Sequence, residues 1–334
     1  MIDASKAREV TTMHAWLCEQ PTGVQALRWQ ELPTPETAAG QVRIRIHAAS
    51  LNFPDLLTVQ NKYQIKPSLP FVPGSEFSGV VEAVGDGVRH LSVGDRVASI
   101  GVTGGFASHA CIGAANVMPL PPGFELDDAA AFAFTYGTSH HALIDRAALQ
   151  PGETVLVLGA AGGVGSAAVQ IAKAAGARVI AAASSDVKCA FCKTLGADAT
   201  INTGRELLRE ALRAATAGRG VDVVFDPVGG DLSESAFRST VWRGRYLVVG
   251  FAAGPIPALP WNLALIKGAS IVGVFWGDFV RREPKAFRAG MEFAWYAQGK
   301  VKPAIDARLP MADLALAYDR MASRQVCGKL LLMN

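Results

Sequence analysis

Apolar and polar positions alternate with period two over the first third of the chain and recur at helical spacing after it. In QVRIRIHAAS, Val42, Ile44 and Ile46 alternate with Arg43, Arg45 and His47, which predicts a half-buried antiparallel strand over 41–49. Further short strands are predicted at Met13–Leu17, Leu27–Glu31 and Phe77–Val84. Gly85-Asp86-Gly87 reads as a turn, and Gly94-Asp95-Arg96-Val97 leads into another strand. The segment PTPETAAG is loop by composition. The first ~120 residues thus read as all-β, a barrel-like set of short strands joined by Gly/Pro turns.

From Asp127 the period changes. DDAAAFAFTYGTSHHALIDRAAL carries a helical apolar stripe, with an interruption expected at Tyr136-Gly137-Thr138. Then comes ETVLVLGAAGGVGSAAVQIAKAAG. Thr154–Leu158 is an apolar run suited to a buried parallel strand, and Ala167, Ala168, Ile171, Ala172 and Ala175 recur on one helical face up to Gly176. Between them, Gly162 and Gly165 meet the second and third positions of G-x-G-x-x-G, with Ala160 at the first. Strand, glycine turn and helix together form the opening of a dinucleotide-binding unit. There backbone N–H groups and the helix dipole favour a pyrophosphate. Strands at 178–183, 199–202, 222–226, 245–250 and 270–275 alternate with helices at 188–195, 206–215 and 236–241. This predicts an α/β chain with a doubly wound parallel sheet after the β-rich domain. An amphipathic helix from Phe279 through Gln298, a segment Val301–Ile305, a helix near 314–322 and a strand over 329–333 close the chain and are expected to return to the β domain.

Composition narrows the function classes. The 334 residues suggest two domains; half are hydrophobic and 18% charged, enough for sizeable cores. The net charge of +3 is too small to imply a nucleic-acid or membrane partner. No uninterrupted apolar run reaches transmembrane length, and the N-terminus has no signal-peptide core. Five cysteines fit reduced thiols and a cytoplasmic setting. Cys189 and Cys192 form a C-x-x-C with no second pair nearby and are read as ordinary helix residues.

The order SEFSGVVEAVG, VGDRV, AAGGVGSAAVQIAKAAGARVIAA resembles the medium-chain dehydrogenase/reductase superfamily from Met13 to Met333. NFPDLL, GAAGGVG, FDPVGG and GRYLVVGF are similar to its zinc-free NADPH:quinone oxidoreductase branch, which includes zeta-crystallin. The resemblance implies a GroES-like catalytic domain (1–133), a Rossmann domain that binds NADPH (134–277) and a return segment (278–334) packing on the catalytic domain. It also implies an active site in the cleft between the domains. A homodimer or homotetramer is implied too, assembled in part through the sheet edge at Ser270–Trp276.

Zinc members of the superfamily carry Gly-His-Glu; the matching triplet here is Gly74-Ser75-Glu76. Serine is not a usual zinc ligand, the six histidines show no ligand spacing, and no metal is expected. The second Rossmann strand ends Ala183-Ser184-Ser185-Asp186-Val187-Lys188, with a neutral Ser184 where NAD-selective sites carry an acid. The resemblance maps Ser184, Lys188 and Arg324 onto the 2′-phosphate of NADPH, with Thr203 beside them. Asp186 is the contrary residue, unless it caps the following helix. Gly162, Gly163, Val164 and Gly165 are expected at the pyrophosphate. The resemblance implies Asn52, Tyr63 and Thr138 beside the nicotinamide, with Asn52 and Tyr63 serving the acceptor, and Gly250, Phe251, Phe275 and Trp276 at strand ends lining the cleft. Tyr63 has two readings, proton donor or packing ring. The expected substrate is a small quinone or another α,β-unsaturated carbonyl. An enoyl-CoA reductase is the first alternative, with Arg281, Arg282, Lys285 and Arg288 as a basic patch. A non-catalytic NADPH-binding protein is the second.

Overall fold

The computed structural model describes residues 11–101, 103–284 and 293–334. The chain divides into two compact units. One comprises Met1–Ala130, Ala307–Ser323 and Leu330–Asn334; the other comprises Ala131–Asp306 and Arg324–Lys329.

The first unit opens with a two-stranded antiparallel sheet, β1 (Thr12–Leu17) and β2 (Arg28–Pro33). The long strand β3 (Gln41–Ser50) pairs with β4 (Glu76–Val84) and with β6 (His109–Gly113). β5 (Arg96–Ile100) lies between β4 and β7 (Val117–Pro119). The period-two pattern sorts the faces of β3 as its sequence requires. Val42, Ile44 and Ile46 are buried, whereas Arg43 and Arg45 turn to Glu82, at 3.7 and 3.2 Å. Helix α1 (Phe53–Val59) interrupts this all-β stretch and was not among the expected elements. Its start is local: Asn52 is the N-cap, Asp55 closes a reciprocal capping box, and proline occupies the first turn. Seven residues are too few for a periodic stripe to stand out from loop. α2 (Leu126–Ala130) ends the first stretch.

The second unit begins with α3 (Ala133–His140), continued by a π-helical stretch over His141–Arg146. The expected break at Tyr136-Gly137-Thr138 is absent, since α3 runs through it. Gly137 answers a packing demand there: a Cβ would lie 2.8 Å from the Trp276 ring. Then follow β8 (Thr154–Leu158), α4 (Gly163–Ala174), β9 (Arg178–Ala183), α5 (Asp186–Thr194), β10 (Ala199–Asn202), α6 (Leu208–Ala215) and β11 (Val221–Asp226). α7 (Leu232–Arg238), β12 (Thr240–Val248), α8 (Asn262–Lys267), β13 (Ser270–Gly273) and α9 (Trp276–Arg282) complete the alternation. The strands form one parallel sheet in the order β10-β9-β8-β11-β12-β13. The order reverses between β8 and β11, which makes the carboxyl ends of those strands the ligand-binding crevice of a doubly wound sheet. The helix expected over 236–241 lies earlier, at Leu232–Arg238, because Thr240 already pairs with Val221 as β12 begins. Leu156, Leu158, Ile180, Val224, Phe237 and Tyr246 are among the buried residues of the core on this sheet.

Beyond α9 the expected amphipathic helix is described as far as Arg282 and again at Phe293–Ala297; residues 285–292 lie outside the described residues. β14 (Ile305–Pro310), a helix at Leu314–Ala322 and β15 (Lys329–Met333) follow. β14 and β15 join the first unit's sheet in the order β14-β15-β3.

Candidate functional site

The glycine turn between β8 and α4 is shaped by how closely its backbone approaches itself. A Cβ on Gly165 would lie 2.3 Å from the Gly159 carbonyl oxygen and 2.8 Å from the Ala160 Cα. Gly159 itself sits at φ +57, in the left-handed region. Gly162 is the N-cap of α4. The amides of Gly163, Val164 and Gly165 therefore begin a twelve-residue helix with no side-chain cap and no acidic residue in its first turn. Arg324–Lys329 returns to this turn: the Gly328 N–H donates to the Ala161 carbonyl at 2.8 Å.

At the end of β9, Ser184 is exposed and Ser185 caps α5, accepting from the Lys188 N–H. The Lys188 ammonium donates to the Arg324 carbonyl, and Arg324 holds φ +55 with its side chain exposed. Thr203 lies beside Ser184, its N–H and hydroxyl both donating to the Ala183 carbonyl at 2.8 and 3.2 Å. Ser184, Lys188, Thr203 and Arg324 thus meet at one corner. Asp186 is the first helical residue of α5, one past the N-cap position considered for it. Its carboxylate is held by Arg205 at 2.8 Å and by the Asn202 amide at 2.9 Å.

At the ends of β11 and β12, Gly250 donates its N–H to the Asp226 carbonyl, and a Cβ on it would meet the Pro227 carbonyl oxygen at 3.3 Å. Phe251 packs on Gly229. The organiser here is Asp226, which the sequence reading passed over. Its buried carboxylate accepts from the Val228 and Gly229 amides, both at 2.8 Å, from the Ser233 hydroxyl at 2.9 Å and from the Tyr246 hydroxyl. Burial, then the Asp226 charge, pushes the Tyr246 phenol far up. The Asp-Pro-x-Gly-Gly spelling after a strand was the available signal, because Asp side chains close such turns on their own backbone. Phe275 and Trp276 diverge: Phe275 is exposed, whereas Trp276 is buried against Gly137 and Phe134. The Thr138 hydroxyl is buried and meets no hydrogen-bond partner among the described residues.

In the first unit, Asn52 is 5% exposed. Its amide nitrogen donates to Glu76 at 3.2 Å and makes longer contacts of 3.4 and 3.5 Å to the Ser50 carbonyl and hydroxyl. The Asp55 carboxylate accepts from the Asn52 N–H at 2.8 Å. Tyr63 follows the turn that ends α1, where Asn61 holds φ +55 and the Lys62 N–H donates to Leu57 at 2.8 Å. Burial raises the Tyr63 phenol pKa, and the Asp55 carboxylate raises it further. A cavity of about 540 Å³ opens nearby along the chain, lined by Ile65, Pro67, Pro70, Phe71, Val72 and Thr103 among others.

Sequence and structure comparisons join these features. A zinc-binding dehydrogenase family model matches residues 163–295, and an alcohol dehydrogenase GroES-like domain model matches residues 38–122. Quinone oxidoreductase-like protein 2 homolog of Nematostella vectensis is 37% identical over 304 residues, covering 90% of this chain and 83% of that protein. The chain belongs to the quinone oxidoreductase family of the medium-chain dehydrogenase/reductases. Among solved members, the Pseudomonas syringae quinone oxidoreductase is 30% identical with a TM-score of 0.88, covering 96% of this chain and 100% of that one. A mycobacterial protein solved in complex with NADPH shows the same identity, TM-score and coverage.

Within this oxidoreductase family two site questions remain chemical. The first is zinc, which one of the matched models carries in its description. Among the described residues no three His, Cys, Asp or Glu side chains converge as a metal site. Ser75 is buried and its hydroxyl meets no partner among the described residues, while Asn52 and Glu76 bond each other. This donor set does not fit a catalytic zinc, which wants three N, S or O ligands in one place. The second is the basic patch for coenzyme A. Arg281 and Arg282 both bind Asp278, at 2.8 and 3.1 Å, and Lys285 and Arg288 lie outside the described residues.

Proposed function

We propose that this quinone oxidoreductase family member is an NADPH-dependent, zinc-independent reductase of quinones and other α,β-unsaturated carbonyls. The observation that carries the reading is the corner at Ser184, Lys188 and Arg324, where Asp186 is held by Arg205 and Asn202, and Glu206 accepts the Asn202 N–H. A 2′-phosphate would meet the Lys188 and Arg324 cations there. Gly162, Gly163, Val164 and Gly165 would hold the pyrophosphate and Thr203 would flank the adenosine side. The unpartnered Thr138 hydroxyl would take the carboxamide, with Gly250, Phe251, Phe275 and Trp276 framing the nicotinamide. NADPH bound in this way supplies the reducing equivalent as hydride.

In the first unit, Tyr63 and Asn52 would serve the acceptor. Reduction of a conjugated carbonyl leaves negative charge on its oxygen. The Tyr63 phenol is suited to hydrogen-bond that oxygen; burial and then Asp55 raise its pKa, which favours the role of hydrogen-bond donor over full transfer of its proton. Self-association through the open edge at β13 is part of the same reading. That edge is exposed, as are Trp242, Leu265 and Ile266 near it.

The test is a titration of NADPH and NADH by quenching of intrinsic fluorescence, then steady-state turnover of a quinone, an enone and crotonyl-CoA. NADPH is expected to bind more tightly, and the quinone and enone to be reduced. Equal affinities would remove the 2′-phosphate assignment, and turnover of crotonyl-CoA alone would favour the thioester reductase. Chelation is expected to leave activity intact; loss that zinc restores would overturn the zinc-independent assignment.

A further inference from the structure

Glu76 is the first residue of β4 and is fully buried, with Phe77 buried beside it. A glutamate is rarely so placed unless its carboxylate is hydrogen-bonded. Here one oxygen, Oε2, accepts both the Ser50 hydroxyl at 2.5 Å and the Asn52 amide nitrogen at 3.2 Å. Ser50 is the last residue of β3 and is itself fully buried. Beside it the Asn52 backbone starts the first turn of α1: its carbonyl accepts the Asp55 N–H at 3.0 Å, and its N–H donates to the Asp55 carboxylate at 2.8 Å. The Asn52 carboxamide nitrogen thus faces Glu76 at the first turn of α1. That turn starts the short run of chain that ends at Tyr63.

We propose that Glu76 is a positioning residue of the acceptor site, whose buried carboxylate orients the Asn52 carboxamide and anchors the start of the α1–Tyr63 segment. The inference rests on the assignment of Asn52 and Tyr63 to the acceptor made above. A hydrogen bond to a carboxylate is shorter and about twice as strong as one to a neutral acceptor. Glutamine in its place keeps an oxygen able to accept from both donors but loses the charge, and alanine loses both.

The experiment compares wild type with Glu76→Gln, Glu76→Ala, Asn52→Ala and the double variant Asn52→Ala/Glu76→Gln, in the full chain. For Glu76→Gln, enone kcat is expected to fall about tenfold while NADPH affinity stays within about twofold, because the charge-assisted bond lost holds Asn52 and none of the residues assigned to the 2′-phosphate or pyrophosphate. In the Asn52→Ala background, Glu76→Gln is expected to have no further effect on kcat. Full activity in both single Glu76 variants would overturn the proposal, as would multiplicative losses in the double variant or a parallel loss of NADPH affinity. If Glu76→Ala does not fold, Glu76→Gln and the cycle decide. If wild type reduces neither enone nor quinone, the functional reading has failed on its own account. The same cycle measured by urea unfolding then judges Glu76: additive effects refute its coupling to Asn52, and non-additive effects uphold it.

Discussion

Burial and the Asp55 carboxylate raise the Tyr63 phenol pKa, and replacing the residue by phenylalanine removes the hydroxyl while keeping the ring. Tyr63→Phe is expected to lower enone turnover by ~10²–10³, the usual effect of losing one oxyanion donor, with NADPH affinity unchanged. A quinone should suffer less, because its reduced oxygen is weakly basic and takes a proton from water. Unchanged enone turnover would leave Tyr63 as a packing ring. At the other site, Lys188→Ala is expected to weaken NADPH binding by about 1.5–3 kcal/mol and NADH binding hardly at all, read by titration of both. Residue by residue, the sequence could single out Lys188 and Ser184 as candidates, which the titration above tests, because the place after the second strand has a meaning of its own. It did not disclose Glu76 or Asp226. A buried acid is indistinguishable in sequence from an exposed one until the fold brings its donors to it: Ser50 and Tyr246 on paired strands, Asn52 at a helix cap and Ser233 on α7.

The join of β8 to α4 depends on close approach, so a single methyl group should disturb it. Gly165→Ala places that methyl against backbone atoms of Gly159 and Ala160, which cannot swing aside as a flexible side chain can. Such overpacking typically costs about 1–3 kcal/mol, and NADPH affinity should fall with stability, checked by thermal unfolding and titration on one preparation. The start of β8 is tied to β12 by Arg245, whose guanidinium grips Glu153 at 2.7 and 2.6 Å. Burial acts to raise the Glu153 pKa, but the bonds from Arg245 and the Gln150 N–H outweigh it and hold the carboxyl below its ordinary value. A depressed carboxyl contributes stability that is present above its unfolded pKa and lost as pH falls through the folded one. Glu153→Gln should therefore lower stability at neutral pH by about 1–2 kcal/mol and flatten its decline in acid, measured by urea unfolding across pH. Elements with strong periodicity, such as β3, β8 and β9, were legible to within a residue or two. α1 was hidden by its brevity, and α7 was displaced because the Asp226 turn and the register of β12 decide where that helix stops.

For the whole molecule, the alternation after Asp127 was enough to reach a parallel sheet, since each apolar strand needs helices to cover it. Self-association is not legible from pattern alone, because the edge strand β13 carries only half-buried or exposed residues. Sedimentation is expected to give twice the chain mass, and Ile266→Glu, at an exposed apolar position near that edge, to shift it toward monomer. A monomeric wild type would overturn the self-association. The order of strands in the first unit's sheet also sets an order in time. β3 is made early, but its neighbour β15 lies beyond every strand of the second unit in the sequence. During synthesis the ribosome therefore releases β3 with its Ala48–Ser50 end unpaired on one flank, since β6 takes only Gln41–Arg45, and keeps that end waiting while the parallel sheet is translated. The unit whose residues emerge first is the one completed last. An unpaired apolar strand is a site of mispairing, so a nascent chain stalled before Lys329 should be the most aggregation-prone form this protein passes through.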